Sequence, residues 1–262
     1  MKEQPAANIT VSVDVTNPGQ FFACCGLLEL ADRLWPGAEG WFEEEMFRVV
    51  CGIDLASLID TFVKARFDPL APDDETASPL FLSKPFDLAL DWWVEGPADA
   101  KALKVWAGRM SNLRIVRAMQ AAMGSTEHLA LMFDHTAVVF DPDNPKKKVE
   151  PFYFDARRGW NAQSIDLGFA PDSLNVQTTA CPAVESLCLV GLQRFRPAVT
   201  ERRRVFDYTA WQTPLPVSIA AAAAGGALGA CLGPTFRFEN AFRTSQKKHK
   251  SFLPATLLGA HE

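Results

Sequence analysis

The amino-terminal third of the chain alternates between strand and helix patterns, and this alternation limits the possible folds more than any other feature. Apolar residues occupy every second position over residues 9–15, which is the period of a strand, and Asn17-Pro18-Gly19 then turns the chain into a helical pattern over 20–34. A second strand pattern, 46–51, leads into an amphipathic helix, 55–64. The first third is therefore predicted to be strand–helix–strand–helix.

The rest of the chain adds further helices and strands. Helical patterns run over 98–123 and 181–195. Strand patterns run over 85–94, 150–155, 205–211 and 235–242. Such a mixture of segregated helices and strands is typical of α+β proteins. We predict an α+β fold with a mainly antiparallel mixed sheet and packed helices.

Charged residues divide the chain into two unlike parts. Residues 1–100 contain 6 Lys or Arg and 18 Asp or Glu, whereas residues 101–262 contain 20 and 13. A chain of 262 residues, 48% of them hydrophobic, is long enough for one well-packed domain. We predict a single domain over 1–262, which the charges allow to divide into an acidic lobe, 1–140, and a basic lobe, 150–262.

The basic part is expected to meet an anionic partner. Aromatic residues lie among its cations, which form four clusters: Arg157-Arg158; Arg194-x-Arg196; Arg202-Arg203-Arg204; and Lys247, Lys248 and Lys250. Arginine binds phosphate oxygens in pairs and stacks on bases, so this pattern indicates nucleic-acid binding. The alternative is a solvated basic surface without a ligand.

The most concentrated polar segment begins at Asp155, after a strand pattern. It supplies phosphate clamps, a glycine that permits close backbone approach, a stacking surface and amide groups, namely Arg157, Arg158, Gly159, Trp160, Asn161 and Gln163. These residue types hold phosphates, stack on bases and read base edges. In the alternative interpretation, Asp155 pairs with one of the arginines and fixes the loop.

Few residues indicate catalysis. His135 adjoins Asp134 between apolar residues, where an ordinary hydrogen-bonded pair is expected, and His249 lies within a lysine run as the best base for RNA cleavage. Cys24-Cys25 near a helix start lies between apolar residues, so burial is expected rather than reactivity. We predict a protein without enzymatic activity.

Metal, cofactor and membrane sites are not predicted. The six cysteines form no C-x-x-C pair, and no phosphate-binding glycine motif occurs. The polar start lacks the apolar run of a secretory signal, so we expect a cytoplasmic protein with free thiols. Residues 209–235 carry no charge, but they are rich in Ala and Gly and interrupted by prolines, so no membrane contact is expected.

Three stretches follow one another along the chain: Asn17-Pro-Gly-Gln-Phe-Phe-Ala-Cys-Cys-Gly-Leu-Leu-Glu-Leu-Ala-Asp, Phe154-Asp-Ala-Arg-Arg-Gly, and Pro182-Ala-Val-Glu-Ser-Leu-Cys-Leu-Val-Gly-Leu-Gln-Arg-Phe-Arg-Pro. Together they resemble CRISPR-associated proteins of the type I-U systems, also called I-G. The chain is similar, over about residues 9–250, to the small Csb-type, large-subunit-like member of that effector set.

The resemblance implies a subunit of the CRISPR RNA-guided surveillance complex, Cascade. The implied ligands are CRISPR RNA and target double-stranded DNA, and the implied protein partners are other Cascade subunits and a separate helicase–nuclease. Duplex or guide contacts are then expected from Arg157, Arg158, Asn161 and Gln163. Backbone contacts are expected from Arg202, Arg203, Arg204, Lys247, Lys248 and Lys250.

Two other functions remain open from the sequence. One is a CRISPR RNA-processing endoribonuclease with His249 or His135 as the base and nearby lysines stabilising the leaving group. The other is a protein-interaction scaffold that makes no direct contact with nucleic acid.

Overall fold

The computed structural model describes residues 6–72, 78–94, 100–107, 110–124, 127–158, 179–229, 232–243 and 249–259. The α-helices within these ranges are α1 (Pro18–Leu34), α2 (Leu55–Lys64), α3 (Ala100–Leu103), α4 (Asn112–Met123), α5 (Pro182–Arg194) and α6 (Val217–Ala224). The strands are β1 (Ile9–Ser12), β2 (Glu39–Glu43), β3 (Met46–Val50), β4 (Phe67–Pro69), β5 (Leu80–Leu82), β6 (Leu88–Leu90), β7 (Phe140–Asp141), β8 (Asn144–Lys148), β9 (Ala198–Val199), β10 (Val205–Thr209), β11 (Leu215–Pro216), β12 (Thr235–Phe242), β13 (Lys250–Phe252) and β14 (Thr256–Leu257).

The strands form mostly antiparallel sheets, which confirms the predicted α+β class. One sheet has the order β1-β3-β2-β11, and a second has the order β13-β12-β10-β9 with β14 also paired to β12. A three-stranded sheet, β4-β5-β6, and the hairpin β7-β8 complete the set in the described residues. Leu215 of β11 lies opposite Gly40 of β2, so the acidic and basic parts of the sequence contribute to one sheet.

Two buried helices, α1 and α5, cross at the centre of the fold. Pro18 occupies the first turn of α1, and the Asn17 side chain caps it by accepting a hydrogen bond from the Gly19 amide. The helices approach so closely that a Cβ added at Gly26 or at Gly191 would overlap backbone atoms of the opposite helix. Helices that are apolar on nearly all sides are buried in this way.

Aromatic side chains fill the core on both sides of this crossing. The Phe21 ring centroid lies 4.3 Å from that of Tyr208, and the Phe238 centroid lies 4.9 Å from that of Phe252. Trp92 and Trp106 form an edge contact at 5.9 Å in the neighbouring region. Burial of these rings contributes a large share of apolar side-chain volume to the core between the sheets and the helices.

The helix predicted over 98–123 is two helices in the structure. α3 ends at Leu103, and α4 begins after Ser111, whose hydroxyl accepts a hydrogen bond from the Arg114 amide at 3.3 Å. Trp106, between the two helices, is buried. The serine cap gives the chain a favourable place to start a new helix, while the apolar spacing continues across the break.

The uncharged stretch 209–235 contains the short helix α6, whose range is Val217–Ala224. Among the residues that the structure describes, no helix is long and apolar enough to span a bilayer.

Candidate nucleic-acid interface

A buried polar network joins the three stretches that carry the CRISPR resemblance. Glu185, in the first turn of α5, is fully buried and accepts hydrogen bonds from the amides of Tyr153, at 2.9 Å, and Asp155, at 3.1 Å. The Phe154 amide donates to the same carboxylate at 3.3 Å. Residues 150–155 were expected to form a strand, but these three amides bond a side chain instead of a neighbouring strand. Burial raises the pKa of Glu185 to about 8, although the backbone donors act in the opposite direction.

Asn17 connects this segment to the start of α1. Its amide nitrogen donates to Asp155 Oδ1 at 2.8 Å, and its oxygen accepts from the Ala156 amide at 3.1 Å as well as from Gly19. Gly19 permits this contact, because a Cβ there would overlap the Phe154 carbonyl. The network therefore holds residues 153–156 against the first turns of α1 and α5.

Arg157 is part of the same network. Its Nε and Nη2 donate to the buried Asp155 carboxylate at 3.0 and 2.9 Å, and its Nη1 donates to Asp134 at 2.9 Å. Burial is the largest single influence and lowers the pKa of Arg157, but the hydrogen bonds to Asp155 and the negative charges of Asp155 and Asp134 together more than offset it, so the pKa lies above its ordinary value. For Arg157 the structure therefore agrees with the alternative interpretation, in which Asp155 pairs with an arginine and fixes the loop.

Two of the candidate catalytic groups, Asp134 beside His135 and the pair Cys24-Cys25, have the environment of structural residues. The Asp134 carboxylate beside His135 accepts from Arg157. Cys24 and Cys25 are fully buried, and burial raises the pKa of both thiols, which is the reverse of activation. In the described part of the chain, no group of three or more His, Cys, Asp or Glu side chains could hold a metal ion.

A second group of cations lies at one end of the sheet that contains β10, β12 and β13. It comprises Lys104 after α3, Arg203 and Arg204 before β10, and Lys250 at the start of β13, which we call the cationic cluster. Burial is the largest cause that lowers the pKa of Lys250, and together with the charges of Arg204, Lys104 and Arg203 it brings that pKa to about 8. These three cations therefore lie near enough to Lys250 for their charges to act on it.

Aromatic rings lie against the cations at this end of the sheet. The Arg204 guanidinium carbon lies 4.6 Å from the Phe242 ring centroid, and Lys104 Nζ lies 5.0 Å from the Trp106 centroid. Arg243, which follows β12, lies 3.4 Å from the Tyr153 centroid. The attraction between each cation and its ring holds the cation in place against the ring.

Two residues of these stacks have left-handed backbones. Arg204 has φ 66° and Tyr153 has φ 74°. For non-glycine residues this conformation costs about 1 kcal/mol or more, and it persists where the surrounding contacts impose it. The carbonyl of Arg204 accepts from the Asn240 amide at 2.9 Å, and that of Tyr153 accepts from the Phe252 amide at 3.2 Å, so β12 and β13 hold both residues.

Several cations of this region lack the ion pairs that many other cations make. Carboxylate partners within 4.0 Å occur for many cations elsewhere, namely Arg33, Arg48, Lys64, Arg66, Arg114, Arg117, Arg157, Arg194 and Arg237. No described carboxylate lies that close to the side-chain nitrogens of Arg202, Arg203, Arg204, Arg243 or Lys250. The same holds for other described cations, among them Lys84, Lys146, Lys147, Lys148, Arg158 and Arg196. The region at the end of this sheet differs from them because its cations come from several segments and lie against aromatic rings.

Apart from Arg157, which Asp155 and Asp134 hold, the predicted site residues fall into three groups. The structure brings Arg203, Arg204 and Lys250 together, with exposed Arg202 beside them. Arg158 is half-buried in a turn, Ala156–Arg158, that packs against β13. Asn161, Gln163, Lys247 and Lys248 lie outside the described residues.

Sequence reasoning missed Arg243 and the contribution of Lys104 to this surface. The signal for Arg243 was the Phe242-Arg243 pair at the end of a strand pattern, close to the lysine run at 247–250. Lys104 lies within the helical pattern over 98–123, and two other cations of that pattern, Arg114 and Arg117, pair with carboxylates.

Comparison of the sequence with protein-family models and with curated proteins, and of the fold with solved structures, found no match for this chain.

Proposed function

We propose that this protein is a non-catalytic, nucleic-acid-binding subunit of a type I-U CRISPR RNA-guided surveillance complex that acts in the cytoplasm in antiviral defence. The observation that carries the proposal is the concentration of cations without carboxylate partners, backed by aromatic rings, at one end of the β10–β12–β13 sheet. Arginine and lysine in such surroundings neutralise phosphates and release counterions.

The family assignment rests on the resemblance, and the packing of the three resembling stretches supports it. Their side chains form a single buried unit, in which Asn17, Asp155 and Glu185 are joined by hydrogen bonds to one segment. The same stretches supply Gly26 and Gly191 at the helix crossing. Residues of a common architecture, rather than scattered surface positions, therefore carry the resemblance.

In this proposal the cationic surface holds the backbone of CRISPR RNA, of target double-stranded DNA, or of both. Base pairing by the guide supplies the target sequence specificity, by analogy with another RNA-guided effector class. The other Cascade subunits and a recruited helicase–nuclease contact the rest of the surface. The basic surface needs only phosphate contacts to contribute affinity.

One observation favours a second candidate, an RNA-processing endoribonuclease. His249 adjoins Lys250 of the cationic cluster, and its carbonyl accepts from the Arg243 amide at 2.8 Å, so a histidine lies in the same segment as a predicted phosphate-binding residue. A histidine base beside cations is an arrangement that RNA cleavage uses. We expect purified protein to leave CRISPR repeat RNA intact. Cleavage that His249→Gln removes would replace the binding proposal by this one.

A pair of charge-neutralising variants tests the binding surface. Arg202 and Arg203 are exposed, and we expect Arg202→Gln with Arg203→Gln to reduce the slope of log affinity against log salt by about 1.5, the value for about two phosphate contacts. The measurement is fluorescence anisotropy of labelled RNA and DNA oligonucleotides over a salt series.

The matched control also removes two positive charges. Arg66 and Arg237 pair with Asp68 and Asp207, so Arg66→Gln with Arg237→Gln should leave the slope nearly unchanged. Equal losses in the two double variants would show that only net charge matters. Salt-independent or undetectable binding by the wild type would favour the scaffold function.

A further inference from the structure

We propose that the cationic cluster is a binding site for one phosphodiester group, held jointly by Lys250, Arg204 and Lys104, and that Lys250 takes up a proton when the phosphate binds. The inference rests on the proposed function and deepens it. It names the chemical group that occupies the site and a measurable reaction, proton uptake from solvent, that accompanies occupancy.

Strand register places Lys250 beside the ring on which Arg204 lies. Lys250 lies directly opposite Phe242 in the β12–β13 pairing, and side chains of directly opposed residues project from the same face of a sheet. The Arg204 guanidinium carbon lies 4.6 Å from the Phe242 centroid. Lys250 and Arg204 are therefore both neighbours of Phe242.

Asn240 brings the third cation to this face. It lies two residues before Phe242, and its amide nitrogen donates to the Ala102 carbonyl at 2.6 Å. This bond fixes the end of α3, and Lys104 follows it directly. Lys250 Nζ lies 3.4 Å from the carbonyls of Lys101 and Ala102, which are long contacts for a charged donor. The Lys250 ammonium can therefore still donate a strong hydrogen bond to an added acceptor such as a phosphate oxygen.

The charged and titratable groups on all elements around Lys250 are mostly cationic. The cations are Lys101 and Lys104 at α3, Arg203 and Arg204 before β10, Arg243 after β12, and Arg157 and Arg158 in the segment that contacts β13. The other groups are Glu239 on β12, His249 before β13, and Glu150, Tyr153 and Asp155 in the segment that contacts β13, where Glu150 accepts a hydrogen bond from Tyr153 and Asp155 pairs with Arg157. Glu239 and Arg243 lie an odd number of positions from Phe242, so their side chains project from the opposite face. No described carboxylate lies within 4.0 Å of Lys250 Nζ.

A bound anion is expected to raise the pKa of Lys250, which the surroundings lower in the free protein. Burial and the neighbouring cations hold its pKa at about 8, so a large share of the free protein carries a neutral lysine above that pH. A phosphate oxygen beside the ammonium stabilises the charged form and restores the pKa toward the ordinary value of 10.5. Each phosphate bound above about pH 8 then draws close to one proton from water.

We expect affinity for a single-stranded DNA oligonucleotide to fall about tenfold between about pH 7 and about pH 9 at constant ionic strength, because binding above the free pKa requires protonation of Lys250. In Lys250→Arg the charge does not titrate in this range, so the fall should shrink to less than about twofold. Lys146→Arg, at an exposed lysine of the β7–β8 hairpin, is the matched control and should keep the full pH dependence.

Calorimetry of the wild type provides a measurement that does not depend on any variant. Binding enthalpies in buffers of different ionisation enthalpy give the number of protons taken up, and we expect a value between about one half and one at about pH 8.5. Binding without proton uptake, or a pH dependence that survives in folded Lys250→Arg, would overturn the inference and leave the proposed function standing. Failure of the wild type to bind any oligonucleotide would overturn both.

Discussion

Replacing Gly191 with alanine is expected to prevent stable folding. An added Cβ would lie 2.7 Å from the Gly26 nitrogen and closer still to the Phe22 carbonyl oxygen, both in the backbone of α1. Backbone atoms cannot rotate away as a side chain does, so α1 and α5 must separate and break the core on both sides. We expect a loss of at least about 4 kcal/mol, comparable to the whole stability of many domains.

The measurement is thermal or urea unfolding followed by circular dichroism. Gly259→Ala is the matched control, because nothing lies within 4 Å of a Cβ added at Gly259, and it should unfold like the wild type. Gly26→Ala should behave like Gly191→Ala, since its Cβ would overlap the Leu187 carbonyl. A folded Gly191→Ala protein with nearly unchanged stability would show that the helices do not cross as described.

Elements with strong local signals could be predicted from the sequence. The helix 55–64 begins after Asp54, whose carboxylate caps the Ser57 amide at 2.8 Å, and it was predicted with the observed bounds. The strand 235–242 alternates buried and less buried residues and also has its predicted bounds. In both cases neighbours in the sequence determine the structure.

Other parts of the fold depend on tertiary contacts and could not be predicted from the sequence. Residues 150–155 have a strand composition, but Glu185, about 30 positions away, takes up their amides, and no local pattern reveals this. The approach of Lys104 to Lys250 depends on the hydrogen bond between Asn240 and the end of α3, which is equally remote in sequence. Clusters within one segment, such as Arg203-Arg204, were therefore easier to predict than the site that they form with other segments.

The same distinction applies to Arg157 and Arg158, which are adjacent in sequence and were predicted to act together. Asp155 is fully buried, and Arg157 supplies its charge partner. Arg158 has no such role among the described residues, because no described carboxylate lies within 4.0 Å of its side-chain nitrogens. The two arginines should thus respond differently to removal.

We expect Arg157→Ala to destabilise the fold by about 2–4 kcal/mol, because it leaves the Asp155 carboxylate buried with only its neutral donors. The value is set below that of a fully buried pair because the Arg157 side chain is 37% exposed to water. Arg158→Ala should cost less than about 1 kcal/mol. Urea unfolding of the two variants, compared with the wild type, measures the difference.

A neutral pair identifies the cause of the loss. Asp155→Asn combined with Arg157→Ala removes both charges, so the double variant should lose less stability than the sum of the losses of the two single variants. Nucleic-acid binding by Arg157→Ala must be measured where the variant is folded, and there we expect nearly wild-type affinity, since the guanidinium is held by Asp155 and Asp134. A stable Arg157→Ala protein with a large binding defect would contradict this assignment and make Arg157 a ligand contact.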